Sequence, residues 1–131
     1  MFLQSLTKDE KKAFLALAKK VIRSDKRIKS GELEILKMMK KEMAIKDTNE
    51  FAKTSINKLL HVFQSRTSKM AVLFELLGIC YADGKFCMDE KNIIDQIRKA
   101  FDISAAEMAF IENWIVRQMA LVNEAQEFFN S

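Results

Sequence analysis

Proline is absent from the 131 residues, and glycine occurs only three times, at Gly31, Gly78 and Gly84. A chain with so few breakers, and with abundant Lys, Glu, Met, Leu and Ala, points to an all-helical fold. Cysteine occurs twice, at Cys80 and Cys87, and histidine once, at His61. Two thiols and one imidazole supply neither a disulfide framework nor a zinc site, so reduced cysteines in a cytoplasmic protein are expected. No Ser-His-Asp or Cys-His constellation can be argued from the single histidine. It cannot build a carboxylate-bridged di-iron bundle, because Lys58 stands three positions before His61, where glutamate is required. Three scattered glycines do not form a phosphate-cradling loop. No enzyme class is visible in the residues.

Long hydrophobic runs are missing as well. The longest nearly uncharged stretch, Met70 to Ala82, is interrupted by Glu75. It is too short for a hydrocarbon layer that takes about 20 residues to cross. The opening segment "MFLQSLTKDEKK" has too short an apolar run for a signal peptide and no cleavage pattern. What remains is ordinary for a folded domain: 49% hydrophobic and 31% charged residues, enough for one core.

The net charge of +4 conceals a division. Residues 1–70 carry 17 Lys or Arg against 8 Asp or Glu, and residues 71–131 carry 5 against 10. A basic half beside an acidic half can steer an anionic partner or a second copy of the chain. The basic residues Lys19, Lys20, Arg23, Lys26, Arg27 and Lys29 gather near one helix end, but no recognition motif accompanies them. Nucleic acid is therefore not the expected partner on this reading, and a homodimer or a protein partner is preferred. Peripheral membrane association stays among the alternatives.

Thr7-Lys-Asp-Glu10 is a capping box, and the helix it opens is expected to turn Phe14, Leu15, Leu17, Ala18, Val21 and Ile22 inward and to end near Ser24. Ser30 is placed to cap a second helix, with Leu33, Leu36, Met39 and Met43 facing in. Asp47-Thr-Asn-Glu50 is read as opening a third, cored by Phe51, Ile56, Leu59, Leu60 and Phe63. After "QSRTS", the stretch "KMAVLFELLGICYA" is apolar nearly all round and should be the central, buried helix. Glu75 is its one core-facing charge, and Gly78 either allows a close helix contact or is simply tolerated. A fifth helix spans about Asp89 to Phe101. A second capping box, Ser104-Ala-Ala-Glu107, opens a sixth, and Asn123 is read as separating a short last helix. Trp114 and Phe128-Phe129 are expected in the core; left exposed, they would mark a docking or dimer surface.

An internal repeat organises these elements, at an offset of 58 positions. Asp25 aligns with Asp83, Glu32 with Glu90, Ile35 with Ile93, Lys41 with Lys99 and Ile45 with Ile103. The expected architecture is one all-α, internally duplicated bundle of about six to seven helices over residues 1–131, with pseudo-repeats at about 8–64 and 66–122. Each half has a loop, "RSDKRIKSGE" or "YADGKFCMDE", holding an Asp and, seven residues later, a Glu. Neither is an EF-hand. Counted from Asp83, the required oxygen ligands fall on Lys85 and Cys87, and counted from Asp25 on Arg27 and Lys29. Two readings of the acidic pairs stand side by side. Asp can accept loop amides while Glu complements the helix dipole. Alternatively the carboxylates meet and bind a divalent cation, although hard cations want six or more oxygens.

The segment "ELLGICYADGKFCMDEKNIIDQIRKAFDISAAE" resembles the TerB-like family, named for the tellurite-resistance protein TerB. The resemblance rests on Ala82-Asp83-Gly84, Phe86, Glu90 and the "DIS-x-x-E" start of the next helix, and more loosely on Asp25, Ile28 and Glu32. It implies an all-helical duplicated fold, a bacterial stress or tellurite context, a scaffold role, and no enzymatic activity. It also implies acidic metal sites at Asp83 with Glu90, and at Asp25 with Glu32, for Ca²⁺, Mn²⁺ or Mg²⁺. Lys26 stands where glycine is usual, so the first loop departs from the pattern. The alternative readings are a basic nucleic-acid or membrane-surface binder and a subunit of a metal-dependent enzyme.

Overall fold

Six α-helices and one 3-10 turn make up the described part of the chain, with no strand among the described residues. They belong to a computed structural model that describes residues 2–24, 30–46, 51, 53–82 and 88–130, with the backbone alone for 30–33. A 3-10 turn at Leu3–Ser5 precedes α1 (Lys8–Ser24), α2 (Ser30–Met43), α3 (Ile56–Leu60), α4 (Arg66–Tyr81), α5 (Met88–Ala100) and α6 (Ala105–Asn130).

Both capping boxes form as the sequence dictates. The Thr7 N–H donates to Glu10 Oε1 at 2.9 Å, and the Glu10 N–H returns to Thr7 Oγ1 at 3.2 Å. Ser104 and Glu107 repeat the exchange at 3.2 and 3.1 Å. Each box satisfies two donors that a helix start leaves orphaned. Ser65 caps α4, its hydroxyl accepting the Ser68 N–H at 3.0 Å.

The core is built where the apolar stripes converge. α1 buries Phe14, Leu17, Ala18 and Val21, and α4 buries Val72, Leu73, Leu76, Leu77 and Cys80. These two helices lie against each other at the centre. α2 and α3 flank α1, α6 flanks α4, and α5 touches both α1 and α4. The central position expected for α4 is thus occupied. Leu3 and Leu6 are buried as well, so the N-terminal turn acts as a strap across α2 and α4.

α4 begins 58 positions after α1, and α5 begins 58 positions after α2. The stops after α2 and α5 obey the same offset. Ala44 and Asp102 adopt φ of 54° and 56°. The Ala44 N–H donates to Lys41 O and that of Ile45 to Lys40 O; Asp102 to Lys99 O and Ile103 to Arg98 O complete the matching pair. Both are Schellman stops, which tie off otherwise orphaned helix carbonyls.

Three expectations are corrected. The third helix does not run unbroken through Phe51 to Phe63. Residues 47–50 and 52 lie outside the described residues, Phe51 and Lys53 sit in a turn, and α3 starts only after Ser55, whose hydroxyl accepts the Lys58 N–H. Ser55 competes as a local cap and delays the helix. Asn123 does not interrupt α6, because a polar residue without glycine or proline beside it is no breaker. Phe128 and Phe129 are not core: they are 85% and 87% exposed, since α6 outruns the body it packs on. Trp114 is half-buried.

Candidate functional site

Of the four acidic candidates, Asp25 and Asp83 lie outside the described residues, as does the Glu32 side chain. Glu90 is described, in the first turn of α5, and is 5% exposed. A carboxylate there complements the helix dipole. One described carboxylate is not a site for a cation that takes six or more oxygens. Among the described residues no group of three or more His, Cys, Asp or Glu side chains is arranged to hold a metal. Near the same end of the body, the Tyr81 phenol has its pKa raised by burial, then by the charges of Glu112 and Cys80. His61 is exposed at the C-terminal end of α3, as a helix-surface residue should be.

The site with a definite shape lies elsewhere, between the N-terminal turn, α4 and α6. Phe2, Phe74 and Trp114 pack edge to face or tilted, with ring centroids 5.2–5.8 Å apart. Such arrangements set the positive ring edge against the negative face. They floor an open groove of about 730 Å³ whose walls include Met70 and Phe110. Phe110 is 63% exposed there. Arg66 stands on the rim and pairs with Glu107 of the α6 capping box. The Glu107 carboxyl is held below the ordinary glutamate range by the Ser104 N–H first, and then by Arg66.

Glu75 explains how the strap is held. Its Oε1 accepts the Phe2 N–H at 2.7 Å, so the one charge in the apolar stretch of α4 fixes the N-terminal segment over the groove. The sequence singles out Glu75 but carries no signal for this partner, which is 73 positions away. Gly78 is not a close-contact residue: among the described residues, a Cβ placed on it meets nothing within 4 Å.

The family model for tellurite resistance protein TerB matches residues 47–113, just over half of the chain. The chain belongs to the TerB family. The matched span takes in α3, α4, α5 and the first turns of α6. Most of the groove therefore lies within the TerB match, while Phe2, Trp114 and the exposed half of α6 lie outside it. No curated protein matches the chain, and no solved structure matches it. Among the described residues, no helix of this TerB-family chain is long and apolar enough to cross a membrane.

Proposed function

We propose that this TerB protein is a non-enzymatic interaction module, working as a scaffold in a tellurite- or stress-related setting. The observation that carries the reading is the aromatic groove, an open apolar surface with one fixed ion pair on its rim. Open apolar surface rimmed by polar groups is what docking sites present. The chemistry around it is that of recognition: rings for contact area, and a guanidinium and a carboxylate for orientation.

The test is direct. Partners captured from host cells would be purified and titrated into the wild type and into Phe110→Ser, a change at an exposed position that leaves the core intact. At least one partner should lose tenfold or more in affinity. Equal binding of every partner to both proteins would remove the groove from the reading.

The acidic loop ends add an optional divalent cation to the proposal, held by Asp83 with Glu90 and by Asp25 with Glu32. The buried position of Glu90 supports the Asp83–Glu90 pair. Lys26 and Arg27 next to Asp25 weaken the Asp25–Glu32 pair, since they repel a cation. Calorimetric titration of Ca²⁺, Mn²⁺ and Mg²⁺ into chelator-treated protein should give saturable binding that is lost in Asp83→Ala/Glu90→Ala. No heat, with no change in melting temperature at millimolar metal, would leave the pairs as helix joints.

A further inference from the structure

Every residue of α6 from Ala120 to Asn130 is exposed, so the helix continues as a projection beyond the body. That projection is not polar. Leu121, Val122, Phe128 and Phe129 are 49–87% exposed. At 3.6 residues per turn, Phe110, Arg117, Leu121 and Phe128 fall within about 20° of one direction along α6. The face that walls the groove is therefore the face that the tip carries, with Phe110 and Phe128 about 27 Å apart.

We infer that the groove receives the α6 tip of a second copy of this chain, in an antiparallel pair of α6 helices. This rests on the docking role proposed for the groove and names its occupant. A two-fold axis near Met119 sets Phe110 opposite Phe128 of the second copy, and the same operation repeats the contact at the other end. An interface of this kind is isologous and closes, so it makes a dimer and not a fibre.

Charge fits the pairing. Arg117 is the only cation on α6, and in this register it faces Leu121 of the second copy, one turn from Glu124. Two symmetric Arg117–Glu124 pairs result, set within the seam between its two Phe110–Phe128 ends. Exposed apolar area fits as well: the seam carries Phe110, Leu121 and Phe128, each more than 60% exposed, and the two-fold axis doubles that contact.

A lipid surface is the disfavoured occupant. Beyond Arg117 the helix holds Glu124 and Glu127 and no Lys or Arg, whereas helices that lie on anionic membranes carry basic polar faces.

Sedimentation equilibrium of the full chain should show a dimer at micromolar concentration. Phe128→Ser/Phe129→Ser, at positions too exposed to unfold the body, should weaken it at least a hundredfold without changing the helical circular dichroism. Arg117→Glu and Glu124→Arg should each weaken it about tenfold, and the double exchange should restore it. A monomer at several hundred micromolar would overturn the inference. So would a dimer indifferent to the phenylalanine pair, or a monomer that co-sediments with phosphatidylglycerol vesicles through those phenylalanines. A monomeric wild type that still binds a purified partner through Phe110 would sink the dimer alone and leave the scaffold reading standing.

Discussion

The helix stops after α2 and after α5 use the same bonds, 58 positions apart, yet the helices they end are buried to different depths. Leu36 is half-buried where Ile94 is 1% exposed, and Ile45 is half-buried where Ile103 is 3% exposed. The reason is tertiary. α5 lies against α1, α3 and α4, whereas α2 lies against α1 and the short N-terminal turn. Equal local chemistry therefore does not confer equal weight in the core. The 58-position correspondence is carried by helix starts and stops, and burial is set by which neighbours each helix finds.

The comparison breaks most visibly in the core. Ile94→Ala should destabilise by about 2–5 kcal/mol, the range for a fully buried large-to-small change. Leu36→Ala, at the matching position of α2, should lose less than half as much, because its cavity opens toward solvent. Urea midpoints measure both. Equal losses would mean that the two halves share the core evenly.

The reach of the sequence follows the same line. Thr7–Glu10 and Ser104–Glu107 were legible because a capping box is a local pattern that needs no distant partner. The stripe of α1 and the buried character of α4 were legible from periodicity. The strap was not, because the Phe2–Glu75 bond joins groups 73 positions apart. Nor was the exposure of Phe128 and Phe129: periodicity gives a helix an apolar face but does not say where the body beneath it ends. Of the candidate acidic site, only Glu90 has a described side chain, buried in the first turn of α5, and Asp25, Asp83 and the Glu32 side chain lie outside the described residues.

The starts of α1 and α4 offer a smaller contrast. α1 has a complete box, while α4 has Ser65 with Ser68 in place of the glutamate. Thr7→Ala and Ser65→Ala should each cost about 1 kcal/mol. In α6 the box also carries a pH dependence. Glu107 has a lowered pKa in the folded protein, so its contribution is present above its unfolded value and is lost as pH falls through the folded one. Glu107→Gln should flatten acid destabilisation in that window and leave neutral-pH unfolding curves of similar slope. An unchanged acid limb would show that the carboxylate is not held by Ser104 and Arg66 in solution.

Gly78 sharpens the comparison of α4 with α1, which has Lys20 at the matching position. A glycine inside a helix is less stable than alanine by roughly 0.5–1 kcal/mol. With nothing near the added Cβ, Gly78→Ala should recover that amount and raise the melting temperature. A loss of stability would show that α4 packs more closely there than the free space allows.

The finest contrast lies in the two stops themselves. Ala44 and Asp102 both hold left-handed backbone, at φ of 54° and 56°. For a residue with a Cβ that region costs roughly 1–2 kcal/mol, and the short polar side chain of Asp visits it more readily than Ala does. Glycine removes the clash but adds freedom to the unfolded chain, an offset of about 0.5–1 kcal/mol. Ala44→Gly should therefore stabilise by roughly 0.5 kcal/mol, whereas Asp102→Gly should be close to neutral. Thermal and urea unfolding of the two variants side by side decides it. If Asp102→Gly gained as much as Ala44→Gly, the aspartate would give the left-handed backbone no help, and the two stops would be equivalent in energy as well as in bonding.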